Sequence, residues 1–137
     1  MVQKDKTFGR RSRVSGRERV GHLFAEGRGF MAFPFRVSYL LCEREEQGVA
    51  LLVSIPKRRL RRAVDRNRMK RLAREAYRLN KGDFDTSLLP EGYGLDIALV
   101  YVKDALGDYT EVEKGVRKAL RLLNGRVEDT NKIEDKG

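Results

Sequence analysis

A chain of 137 residues has room for one compact domain with a modest core, and its formal net charge of +10 points toward a polyanionic partner. A lone cysteine, Cys42, excludes an internal disulfide, and no apolar run approaches the ~20 residues that cross a bilayer. The first ten residues also lack the apolar run of a secretory signal, so the expected setting is a reducing cytoplasm with no membrane partner.

The charge is concentrated. Residues 57–81 hold twelve Lys or Arg against two acids, and elsewhere eighteen basic residues balance eighteen acidic ones. Such a surplus opposes folding by self-repulsion unless a polyanion compensates it, and nucleic acid is the commonest such partner.

In chain order, residues 1–12 are polar, basic and aperiodic, which predicts a flexible arm ahead of an ordered core over 13–124. Val20, Leu23 and Phe24 then fall at helical spacing before Gly27, a first helix with a glycine stop. Phe33, Phe35, Val37, Tyr39 and Leu41 alternate with Arg36, Ser38 and Leu40, the period of a half-buried strand. "EREEQ" reads as a hairpin loop leading into a second strand, "GVALLVSI". A basic helix follows, then a loop rich in Gly, Asp and Pro, then a third strand, "LDIALVYV". Val112, Val116, Ala119, Leu120 and Leu123 line one face of a last helix, and residues 125–137 read as a charged tail.

This order predicts an α+β fold, a small central mixed sheet packed with about three helices in one domain over 1–137. The step from the second strand through the basic helix to the third has the length of a βαβ unit, with a right-handed crossover as the default.

On a helical wheel the basic segment divides in two. Met69, Leu72, Ala73, Ala76 and Tyr77 form a core stripe, and Asn67, Lys70, Arg71, Arg74, Arg78 and Lys81 collect opposite it within roughly 100°. Arg66 and Arg68 fall at the borders and should splay outward. Arginine forks suit phosphates and an Asn amide can read a sugar hydroxyl or base edge. A merely solvated face would carry acids at i+4, yet Glu75 is the only acid after Asp65 on this helix.

A second candidate surface is the polar face of the first strand. Arg36 can meet a phosphate, Ser38 is small, and Phe24 can either stack a base or anchor the first helix in the core. Intrinsic catalysis lacks its parts: His22 is the only histidine, Cys42 has no partner for metal binding or nucleophilic attack, and no carboxylates visibly converge. No catalytic or metal-binding residue is therefore assigned in the chain itself. An enzyme's accessory subunit and a plain RNA-binding structural protein both fit the charge pattern.

The segment "AVDRNRMKRLARE" closely resembles the Arg-Asn-Arg signature of the bacterial ribonuclease P protein subunit, at Ala63, Val64, Arg66, Asn67, Arg68, Lys70, Arg71, Arg74 and Glu75. The resemblance implies a ribonucleoprotein endoribonuclease whose catalytic RNA uses Mg²⁺ to remove the 5′ leader of precursor tRNA. The protein would be its accessory subunit, monomeric on its own. By the same resemblance Lys57, Arg61, Arg62, Arg66, Asn67, Arg68, Lys70, Arg71, Arg74 and Arg78 contact RNA, and the basic helix sits in a left-handed crossover. A cleft between the first helix and the sheet would hold the leader through Phe24, Arg36 and Ser38. A second family aromatic on the first helix would fall at Val20, and a family tyrosine at or beside Ser38, so this chain departs from the pattern at both. The stretch "SIPKRRLRRAV" carries more arginine than the common short form, which enlarges the RNA-binding edge.

Overall fold

The structure, a computed structural model, describes residues 16–44 and 48–136, with side chains as far as residue 130. The arm expected over 1–12 and the last three residues of "EREEQ" lie outside those residues. The elements are α1 (Arg17–Glu26), β1 (Arg28–Ala32), β2 (Phe35–Glu43), β3 (Val49–Ser54), α2 (Ala63–Asn80), β4 (Tyr93–Tyr101) and α3 (Tyr109–Lys136). Two 3-10 turns, Lys81–Asp83 and Thr86–Leu88, link α2 to β4.

The α+β reading holds, with a four-stranded mixed sheet in the order β1-β2-β4-β3. β3 runs parallel to β4, so the β3–α2–β4 unit is the expected crossover between adjacent parallel strands. The hairpin does not hold: β4 lies between β2 and β3 and pairs antiparallel with β2 from Phe35↔Tyr101 to Glu43↔Tyr93. The reason is burial. From Gly94 to Leu99 every residue of β4 is buried, and a strand apolar on both faces belongs in the middle of a sheet.

β1 is an element that the alternation pattern misses. Only Ala32 of its five residues is buried, so it carries little apolar signal, yet it pairs with β2 from Arg28↔Tyr39 to Ala32↔Phe35. Phe33 belongs to the turn between the two strands and is exposed, rather than standing on the core face with Phe35, Val37 and Tyr39.

Each face of the sheet has its own cover. α2 and α3 pack on one side, where Met69, Ala73, Ala76 and Tyr77 meet Val112, Val116, Ala119, Leu120 and Leu123 in the main core, with Leu72 partly buried against it. The wheel assignments of both helices are therefore observed. α3 also continues through the segment read as a charged tail, because Val127, four residues beyond Leu123, extends the same stripe and is fully buried. On the opposite side α1 sets Leu23 against Ala50 and Ala98, with Val20, Leu40 and Leu52 around them.

Candidate nucleic-acid interface

α2 starts without help from its cap residue, since Arg62 makes no side-chain cap bond. Arg66 supplies a different restraint: its Nη1 donates to the carbonyls of Leu60 at 3.0 Å and Arg61 at 2.8 Å, tying the approach of the chain to the first turn of the helix. Half-buried rather than splayed, Arg66 thus has a structural task that the sequence pattern does not reveal. Arg59 fastens the same approach from the other side, with Nη1 on Asp104 at 2.9 Å.

With the core stripe turned inward, Asn67, Arg68 and Arg71 are exposed, and Lys70, Arg74 and Arg78 are half-exposed beside them. Lys57, Arg61 and Arg62 stand exposed just before the helix. The structure thus brings the expected basic residues onto one surface. Its charge is tempered at one end. Arg78 grips Glu75 with two nitrogens at 3.0 and 2.7 Å, which lowers the carboxyl's pKa and raises the guanidinium's, each chiefly through that hydrogen bond. At the other end Arg62 lies 4.0 Å from Asp65, a loose pair in water.

The second candidate surface is the sheet face under α1. Phe24 is 46% exposed while its neighbour Leu23 is fully buried, so Leu23 is the core anchor and Phe24 presents its ring to solvent. Arg36 is exposed and Ser38 half-buried on the same face of β2. Ser38 stands in register with Ala98, on which Leu23 rests, and Arg36 with Val100, one pair further from that contact. Met31, the register partner of Arg36 on β1, is also exposed. Half of this face is therefore roofed by α1 and half is open. Ala50 of β3 is buried beneath Leu23 and takes no part in the open half.

One register pair beyond Ala98, on the side away from Arg36 and between Leu40 of β2 and Ala50 of β3, sits Asp96, the one fully buried charged side chain among the described residues. Arg19 of α1 donates Nε to Oδ2 at 2.9 Å and Nη2 to Oδ1 at 2.6 Å, and Arg44 donates Nη1 to Oδ1 at 2.8 Å. Burial disfavours the carboxylate, but the two arginines outweigh it and hold Asp96 below its ordinary range. Cys42 lies 3.5 Å from the same carboxylate, and burial followed by that charge raises its thiol pKa, the opposite of an activated nucleophile. Sequence reasoning missed this cluster. Its signal was an Asp inside an otherwise apolar strand, which burial on both faces obliges to find a partner.

Among the described residues no three His, Cys, Asp or Glu side chains converge as metal ligands. No described helix is long and apolar enough to cross a membrane.

Residues 8–124 match the family model described as Ribonuclease P. The chain belongs to the ribonuclease P protein family. It is 41% identical over 124 residues to the ribonuclease P protein component of Porphyromonas gingivalis, covering 88% of this chain and 90% of the relative. The protein component from Pseudoalteromonas translucida is 32% identical over 125 residues, covering 90% and 81%. The RNase P protein structure from Thermotoga maritima superposes with a TM-score of 0.63 at 23% identity, over 80% of this chain and 96% of that one. The structure from Staphylococcus aureus gives 0.60 at 18%, over 82% and 94%. At those identities the structures speak to the fold, which they share with this chain. Family membership makes the chain a protein component of ribonuclease P, a ribonucleoprotein endoribonuclease, and implies a role in tRNA 5′ maturation and an association with RNase P RNA.

Proposed function

We propose that the exposed face of α2 docks the chain onto the catalytic RNA of ribonuclease P, while the trough beside α1 holds the 5′ leader of precursor tRNA. The observation that carries the first half is the single surface made by Arg68, Asn67 and Arg71 with Lys70, Arg74 and the Lys57–Arg62 approach. A rigid helix holds these forks at fixed spacing, so several phosphates can be met without ordering a loop at the moment of binding. Arg78 contributes less, being already forked to Glu75.

For the leader, an exposed aromatic beside an open sheet face with an exposed arginine is the usual equipment for a single strand: Phe24 stacks a base, Arg36 meets a phosphate and Ser38 leaves room between them. Val20 and Ser38, where the family pattern has aromatics, leave Phe24 as the stacking platform of this trough.

In this reading the protein is accessory and the cleavage chemistry, with its Mg²⁺, belongs to the RNA. The protein's fixed positive charge lets crowded phosphates approach at lower Mg²⁺. The test is binding of the catalytic RNA by parent, Arg68→Ala and Arg71→Ala across a salt series. Each variant should bind more weakly by about 1 kcal/mol or more, with a shallower salt dependence. Parent-like affinity and slope in both would remove α2 from the RNA interface, and cleavage by rigorously RNA-free protein would overturn the accessory role.

A further inference from the structure

The leader trough is only as well defined as the placement of α1, and α1 is weakly held by ordinary means. Its cap residue, Gly16, makes no side-chain cap bond, and Leu23 is its single fully buried side chain. Beneath Leu23 lie Ala50 and Ala98, two small residues that offer contact without a socket. Dispersion over such a floor has no preferred direction, so Leu23 alone would let the helix slide or swivel. A two-pronged guanidinium–carboxylate contact is different, because it fixes both a distance and an angle.

We infer that the Arg19–Asp96 fork sets the position of α1 on the sheet and thereby the shape of the leader trough, which makes Arg19 and Asp96 positioning residues for leader recognition; this rests on the leader reading proposed above. Arg19 and Leu23, four residues apart, face the sheet together, while Val20 and Phe24 share the adjoining flank of the helix. A shift of the fork is therefore passed by a rigid helical turn and a half to the Phe24 ring. Arg44 donates to the same carboxylate independently of α1, so Asp96 is a fixed post against which Arg19 is seated. Arg19 reaches it with a side chain that remains 36% exposed.

The experiment compares holoenzymes assembled with parent protein, Arg19→Gln, Asp96→Asn and the double variant, reading the affinity ratio of precursor tRNA with its leader to mature tRNA. Arg19→Gln leaves Asp96 paired to Arg44, so the fold survives. Its ratio should fall by at least about five-fold, the scale of a weakened base stack, while the salt dependence of leader binding and the affinity for the catalytic RNA stay as in the parent. Asp96→Asn should lower the ratio likewise, and the double variant should match the single ones, since each breaks the same fork. An undiminished ratio in Arg19→Gln overturns the inference. So does a reduced ratio accompanied by a salt slope smaller by about one, because Arg19 would then be a direct phosphate contact. If Asp96→Asn fails to fold, the ratio and slope of Arg19→Gln decide alone. Phe24→Leu separates the two levels: if it lowers the ratio and Arg19→Gln does not, the positioning inference alone fails, and if it does not, the leader reading fails with it.

Discussion

Arg19 on α1 and Asp96 on β4, 77 positions apart in the chain, meet through two parallel hydrogen bonds of 2.9 and 2.6 Å. The pair joins one sheet face to its cover, and its strength depends on the carboxylate staying ionised. The folded pKa of Asp96 is depressed below 3.8, so its stabilisation is complete above that pH and is lost as pH falls toward the folded value. Asp96→Asn should cost about 2–4 kcal/mol near neutrality, less than a stranded buried charge because Arg19 and Arg44 can turn to water. Urea titrations should show that gap narrowing as the pH falls below 3.8. A gap independent of pH would mean the carboxylate's charge contributes nothing.

Two glycines of α3 should respond to alanine with opposite sign. A Cβ on Gly115 would stand 2.7 Å from both the Phe33 carbonyl oxygen and the Pro34 Cδ, so Gly115→Ala forces helix and turn apart. That overpacking, typically about 1–3 kcal/mol, outweighs the helix propensity gained. Gly125 has nothing within 4 Å, so Gly125→Ala should stabilise by about 0.5–1 kcal/mol. Chemical denaturation of the two variants side by side checks both signs.

Val127 tests whether the end of α3 belongs to the core. It is fully buried, and its neighbour Arg126 places its guanidinium 5.1 Å from the centre of the Phe30 ring. Val127→Ala should cost about 1.5–2.5 kcal/mol, and removal of residues 125–137 more. Melting temperatures unchanged in both would contradict the extended helix.

Arg66 and Arg71 should come apart in the same way. Both are expected to weaken RNA binding when replaced by alanine, but only Arg66 holds the carbonyls of Leu60 and Arg61. Arg66→Ala should therefore also lower stability by about 1 kcal/mol or more, and Arg71→Ala should melt like the parent. Thermal melts of the free proteins distinguish the two.

What could be read from the chain was what repeats at short range. The stripes Met69–Tyr77 and Val112–Leu123 carry a helical period strong enough to assign face and core, and the charge surplus between 57 and 81 needs only counting. What escaped depends on partners distant in the chain. Nothing local tells β2 to pair with β4 rather than β3, and β1 is too short and too exposed to announce itself. Gly125 and the charges after it hid the continuation of α3, although Val127 keeps the spacing. At the candidate site, Arg36, Ser38 and Phe24 were legible as residue types, whereas the roofing of Ala50 by Leu23 and the Arg19–Asp96 fork arise only when α1 folds back over β4.

If two separate surfaces serve two RNAs, the precursor-to-mature tRNA affinity ratio of holoenzymes assembled at saturating protein with Phe24→Leu or Arg71→Ala distinguishes them. Phe24→Leu should depress the ratio by the worth of a stack, about 1–3 kcal/mol, with catalytic RNA affinity intact. Arg71→Ala should need more protein to assemble and then show the parent's ratio. A normal ratio in Phe24→Leu together with a reduced one in saturated Arg71→Ala would place the leader on α2 and contradict the account.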